Sequence, residues 1–429
     1  MPGRLVAHAS SSSIVRAVTR LPAFIAGRTI AWARDVTASR ADPTGLTIAV
    51  VLLALTFRVG VGVLFWRGTL DFMISGVPIS DARNWDALAV DFSQGQRWDA
   101  AWGSWGARRP LYYVFMGSIF ALTGPSLLVT RAVHILLGTA ATGLIFDLCR
   151  RLAGLPVACL VALFQALLWA NALAALTTMT EPLGDFLAIV ALWSFVVAIQ
   201  PHLAGRTARQ GLWWFALAGI ALGLANLARP LTLFAGVGLP AIAAVLWLRA
   251  SRRSDARRFL TALGVFVAAF ALTLAPWLGR QWVRYGILTL SENSAEMLFA
   301  ATSPRYGAWM PEVSALPPSG IPIRQRVAFY NEGTRRNLRV HAWWYVGHVL
   351  TGLGAIAWNL TPDRWLLWGA FAFGLGARVG RCAWTPRVIA GPGALGALIL
   401  VCPAEWGAAS WPGGLALALW RGEPIALLV

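Results

Sequence analysis

Apolar residues in this chain come in long unbroken runs. They show neither the alternation of a half-buried strand nor the short stripes of a soluble helix. The first run, GLTIAVVLLALTFRVGVGVLFW at residues 45–66, carries a single charge, Arg58. A helix crossing a bilayer core needs roughly 20 such residues, so runs of this length predict spanning helices. Backbone groups in lipid must bond within their own segment, and barrel strands would alternate, so strands are excluded. The pattern predicts spans at 46–66, 128–148, 156–172, 182–200, 212–228, 231–249 and 259–278, then at 345–360, 365–377 and 388–402. The run LYYVFMGSIFALTG at 111–124 is too short to cross and reads as a helix on the membrane interface. The fold class expected is an all-α polytopic membrane protein, with no internal repeat visible in the pattern.

Charge adds an orientation. The chain is 58% hydrophobic with a formal net charge of +18, and every one of its 36 Lys/Arg positions is arginine. So basic a chain raises nucleic acid as a partner. The arginines, however, sit in short segments between apolar runs, as membrane orientation requires. The expected partner is therefore the lipid bilayer and not nucleic acid. CRRLAG at 149–154, GRTARQ at 205–210 and RASRRSDARR at 249–258 should face the cytoplasm. So should the tail 1–45, which has six arginines against two aspartates. A Ser/Arg-rich tail also fits a transit peptide; a bacterial cytoplasmic tail is expected, with no cleavable signal evident. Residues 67–127 then form one outer loop, and 279–344, with eight arginines and four glutamates, a second. Cys149, Cys159, Cys382 and Cys402 include no C-x-x-C pair, so neither a zinc site nor a disulfide framework is indicated.

The first outer loop holds the unusual stretch PISDARNWDALAVDFSQGQRW at 78–98, where Asp81, Asp86 and Asp91 recur every five residues and Asp99 follows. That spacing suits no single helical face, and Asp86, Asp91 and Asp99 read as structural or solvated. At similar expected depth lie Arg108, Arg109, Glu181, Arg229, Arg280 and Arg284. One acid among several arginines fits a proton acceptor beside an anion site, since arginine grips phosphate with a planar fork. Arg58 lies inside a span, where a charge is functional by default, or snorkels toward the outer end. Trp85, Trp98, Trp102 and Trp105 fit sugar stacking, a lipid cover or the interfacial belt. His341 and His348 make at most a weak metal pair, and packing suits them better.

Five stretches in this order resemble the GT-C glycosyltransferases. They are SDARNWDALAVDFSQGQRW, ARRPLYYVFMGSIFALTGPS, TEPLGDFLAIVALW, GLANLARPLTLF and APWLGRQWVRYGILTLSENS. The closest branch resembles family 39, which includes protein O-mannosyltransferases and the lipid A aminoarabinose transferase. The resemblance implies a GT-C-like helical bundle with interfacial helices in the first outer loop. It implies transfer of a sugar from a polyprenyl phosphate to an acceptor hydroxyl on the outer face, the acceptor being a lipid, glycan or protein. Asp81 then matches the catalytic base. Arg109, before Pro110, matches the contact to the lipid phosphate, joined by Arg229 and Arg280. Glu181, Arg58 and Tyr112 are supporting residues. Arg109 and Arg229 fit interfacial anchors equally, and Glu181 fits a helix cap beside Pro182. No cofactor is predicted. A divalent metal stays open, though Ala82 stands where some relatives have a second acid, which weakens that case.

The chemistry needs little more. Glycosidases use two carboxylates because a departing alcohol must be protonated. A phosphate leaves as a stable anion, so one base and a set of cations suffice, and a single displacement inverts the anomeric carbon. The expected organisation is a basic tail at 1–45, a catalytic module at 46–300 with its outer loop 67–127, an outer loop at 301–344 and a C-terminal transmembrane region at 345–429. The alternatives are a polytopic transporter or lipid flippase and an inactive GT-C relative. A transporter of the common kinds should show paired halves with interrupted helices.

Overall fold

The computed structural model describes residues 43–64, 81–96, 108–204, 211–230, 233–250, 255–291, 293–303, 317 and 320–358. Among these, 86% are helical and none is in a strand. The expected tail, the spans at 365–377 and 388–402, and Asp99, Trp98, Trp102 and Trp105 lie outside the described residues.

The helices are α1 Pro43–Leu64, α2 Asp81–Ser93, α3 Leu111–Thr123, α4 Leu127–Ala153, α5 Leu155–Leu167, α6 Trp169–Ala174, α7 Glu181–Leu203, α8 Leu212–Ala228, α9 Ala235–Arg249, α10 Ala256–Tyr285, α11 Asn293–Thr302 and α12 Ile323–Trp358. Four of them, α1, α4, α7 and α10, are long and apolar enough to cross a membrane, so this is an all-α membrane protein. The expected run at 156–172 is not one helix. It breaks at Leu168, whose backbone is extended (φ −67°, ψ 111°), into α5 and the six-residue α6. The expected run at 345–360 is helical as far as Trp358, as the part of α12 that follows a kink at His341 (φ −126°, ψ 30°). The stretch Asp81–Ser93, inside the expected first outer loop, is the helix α2, although its five-residue spacing of acids suits no single helical face.

Neighbouring helices are set by which small residues face which side chains. Gly138 and Gly143 of α4 lie against Arg58 and Val51 of α1, so these two helices are antiparallel. Asp147 of α4 accepts from Trp193 Nε1 of α7 at 2.8 Å, and Arg151 O accepts from Gln200, so α4 and α7 run parallel. Gly184 meets Arg229 and Ala228 at one end of α7, while His202 meets Phe215 at the other, so α7 and α8 are antiparallel. Gly219 and Gly223 of α8 face Phe266–Phe270 and then Thr273 of α10, so α8 and α10 are parallel. The order of ends alternates through α9, whose Ala243 is buried with Phe215, Phe259 and Phe266.

One end of the bundle thus collects the start of α7, the end of α8 and the end of α10. Across it lies the α2–α3 pair, with Trp85, Leu88, Ala89, Tyr112, Tyr113, Met116 and Phe120 packed on Leu183 and Ala228. Gly117 lets the α2 backbone approach, since a Cβ there would meet Ala89 O at 2.7 Å. The opposite end carries Arg150 and Arg151 on Asp147, and Asp255, whose carboxylate accepts from the Arg257 amide at 2.7 Å to cap α10.

Candidate functional site

Three proline steps bring charged side chains to the end covered by α2 and α3. A proline disfavours the helical conformation in the residue before it. Arg229, before Pro230, is accordingly extended (φ −152°, ψ 120°) and closes α8, its amide donating to Ala225 O at 2.7 Å. Pro182 sits in the first turn of α7, where its missing N–H costs nothing, directly after Glu181. Pro110 precedes α3 and follows Arg109.

Glu181 and Arg229 meet. Arg229 Nη1 lies 2.6 Å from Glu181 Oε1, with side chains only 21% and 9% exposed. Gly184 makes the approach possible, because a Cβ there would stand 3.3 Å from the Arg229 Cβ. The Glu181 carboxylate also accepts from the Thr180 hydroxyl at 3.4 Å, and no side-chain hydrogen bond caps the helix. Its partner is therefore the arginine across the helix pair. One turn on, Asp185 lies within electrostatic range of both Arg229 and Glu181.

Tyr112 stands beside this pair, 1% exposed. Burial first, and then the charges of Asp86 and Glu181, push its phenol well above its ordinary value. Its hydroxyl is 3.3 Å from His134 Nε2, and His134 Nδ1 is 2.8 Å from the Thr177 carbonyl. A carbonyl only accepts, so Nδ1 carries the proton, and Nε2 of the neutral ring accepts from Tyr112. Asp86, read from the sequence as structural or solvated, is half-buried, and burial pushes its carboxyl up from its ordinary value. Trp85 is 2% exposed and stacks on Tyr113 at 6.5 Å, so it is packing and not a free sugar platform.

The other candidates distribute as follows. Asp81 opens α2; its side chain lies outside the described residues. Arg109 is half-buried where the chain enters α3. Arg280 stacks over Trp277 at 4.8 Å and Tyr285 at 5.6 Å. Trp277 in turn packs with Leu227 and Leu111, which ties the end of α10 to α8 and α3. Arg58 is apart from this group and does not snorkel. It is 1% exposed, and it donates to Thr142 Oγ1 at 3.2 Å and to Gln165 O at 3.4 Å. Gln165 is in the last turn of α5, where carbonyls lack helical partners. Arg58 therefore satisfies the break at Leu168.

Sequence reasoning passed over Asp185, Arg131 and His134. The signal was present, because each is an ionisable residue within an apolar run. Arg131 Nε donates to Leu176 O at 3.1 Å. With His134 on Thr177 O it holds the irregular chain before α7, whose buried carbonyls need partners. Among the described residues no group of His, Cys, Asp and Glu could hold a metal ion. No family model matches the chain, and no curated protein and no solved structure matches it.

Proposed function

We propose that the protein is a GT-C-like membrane glycosyltransferase of the family 39 type. It moves a sugar from a polyprenyl phosphate to an acceptor hydroxyl on the outer face, by one inverting displacement. The observation that carries this reading is convergence. The five stretches that resemble the family are spread over about 200 residues, yet parts of all five meet in two adjoining side-chain clusters at one end of the bundle. Trp85, Tyr112, Leu183 and Ala228 share one cluster, and Leu227, Trp277 and Leu290 share the next, against Leu111.

In this reading Asp81 accepts the proton of the acceptor hydroxyl as its oxygen bonds the anomeric carbon. The bond from that carbon to the phosphate oxygen breaks, and polyprenyl phosphate leaves as an anion. Arg109, Arg229 and Arg280 stabilise that anion. Glu181 holds Arg229 in place, and Tyr112 lines the site beside it. The transporter alternative has one observation in its favour, the interrupted helix at Leu168. The break is closed by Arg58 on Gln165 O, which gives it a structural role, and the transferase reading stands ahead.

A strain lacking the protein tests the two together. Loss of a transferase leaves lipid-linked sugar on the outer face with its glycan missing; loss of a flippase leaves that lipid inside. In the complemented strain, Asp81→Asn should cut transfer by roughly a hundredfold or more with normal expression, the size of a general-base effect. Asp91→Asn is the control. Normal transfer by Asp81→Asn removes Asp81 as the base.

A further inference from the structure

The first half of α12 is not used by the proposed reaction, yet it has a distinct chemistry. Between Ile323 and Val340 it carries Arg324, Arg326, Arg335, Arg336 and Arg339 against a single acid, Glu332. Val327, Tyr330 and Thr334 recur at three and four residues and are buried. Val327 and Tyr330 pack with Phe299 and Ala295 of α11, and with Ile287 just beyond α10. That seam uses one face. Phe329, Arg336 and Val340 recur at seven and four residues on another face. Phe329 is 43% exposed, Val340 67%, and Trp343, just past the kink at His341, 86%. Arg335, Arg336 and Arg339 are exposed among them.

Two facts say what covers this face. Its position is one: α10 is a membrane-spanning candidate, and a Cβ at Gly286, the residue that ends it, would stand 3.2 Å from the Arg324 Cδ. The start of α12 therefore lies at the mouth of a span. Its charge is the other. Exposed aromatic and aliphatic groups flanked by arginines fit the boundary between acyl chains and headgroups, and five cations against one acid fit anionic headgroups. We propose that the free face of α12 from Phe329 to Trp343 lies on the bilayer surface and binds anionic phospholipid. The helix thereby anchors the α11–α12 unit beside the end of α10.

The experiment uses the full chain, with Cys149, Cys159, Cys382 and Cys402 replaced by Ala, in vesicles of phosphatidylcholine with or without phosphatidylglycerol. Nitroxide labels go on Phe329→Cys, Val340→Cys and, as a control on the side of the helix away from those two residues, the exposed Asn331→Cys. Labels at 329 and 340 should be reached by oxygen dissolved in lipid and shielded from a water-soluble relaxant, more so with phosphatidylglycerol. The label at 331 should stay water-accessible. Combining Arg335→Gln, Arg336→Gln and Arg339→Gln should abolish the difference between the two vesicles, as should high salt, which screens exposed charges. Water-exposed labels at 329 and 340 overturn the proposal. So does equal behaviour in both vesicles, and so does spin–spin coupling between labels, which would mean that a second copy of the chain covers the face.

Discussion

Arg229 illustrates how a residue is aimed and then held. Pro230 ends α8 and turns its last residue outward, and Gly184 leaves room for the side chain to reach Glu181 at 2.6 Å. With Asp185 also in range, two acids share this one arginine. Removing the arginine leaves the Glu181 carboxylate without its cation in a largely buried place. Arg229→Ala should therefore lower stability by about 3 kcal/mol, the range for breaking a buried pair. Arg229→Lys should recover only part of it, because an ammonium lacks the planar fork. Glu181→Gln should cost less than Arg229→Ala, and the double variant should fall short of the sum of the two. Thermal midpoints in detergent for the four proteins measure this. Strict additivity would mean that the ion pair contributes nothing.

At the scale of elements, small residues decide which helices touch. Gly219 and Gly223 are spaced by four on α8, the close-packing pattern of membrane helices. A Cβ at Gly223 would meet the Thr273 Cβ at 2.6 Å, and one at Gly219 would strike the Phe266 carbonyl. Backbone cannot move aside as a flexible side chain can. Gly219→Ala should cost about 2 kcal/mol through overpacking. Gly264→Ala, on α10 with nothing within 4 Å, should instead stabilise by about 0.5 kcal/mol, the usual gain over glycine in a helix. The opposite signs are the test, again by thermal midpoint. A stabilised Gly219→Ala protein would mean that α8 and α10 are not in contact there. Because α8 delivers Arg229 and α10 delivers Arg280, the Gly219 variant should also weaken the sugar transfer proposed above.

For the whole molecule, the packing sets one group of charges at each end of the bundle. Arg150, Arg151 and Asp255 mark one; Glu181 and Arg229 mark the other. The arginine bias between apolar runs predicts which end is cytoplasmic. On a cysteine-free background, Gln96→Cys, exposed just past the end of α2, should react with an impermeant thiol reagent added outside cells, and Ser254→Cys should not. The reverse result would invert the proposed orientation and take the proposed site off the outer face.

Run length and composition by themselves determined that the chain is helical and enters a membrane, because an apolar run of spanning length is placed in lipid, where its backbone must be bonded within its own segment. They also marked 111–124 as a helix too short to cross a membrane, and α3 Leu111–Thr123 is such a short helix; they located the proline steps beside Arg109, Glu181 and Arg229. The five stretches were readable in order, but nothing in their spacing says that they meet. Tertiary structure alone decided that Glu181 pairs with Arg229, and that Asp185 joins them. It alone decided that Asp86 is half-buried and Trp85 is spent on packing, since α2 is a helix laid against α3. It also turned Arg58 from a presumed site residue at the outer end into the partner of a broken helix. Hydrophobic runs report the average solvent of a segment. A salt bridge, a buried acid or a capped carbonyl depends on a neighbour about 50 to over 100 residues away, as Arg229 and Gln165 are from Glu181 and Arg58, and only packing supplies it.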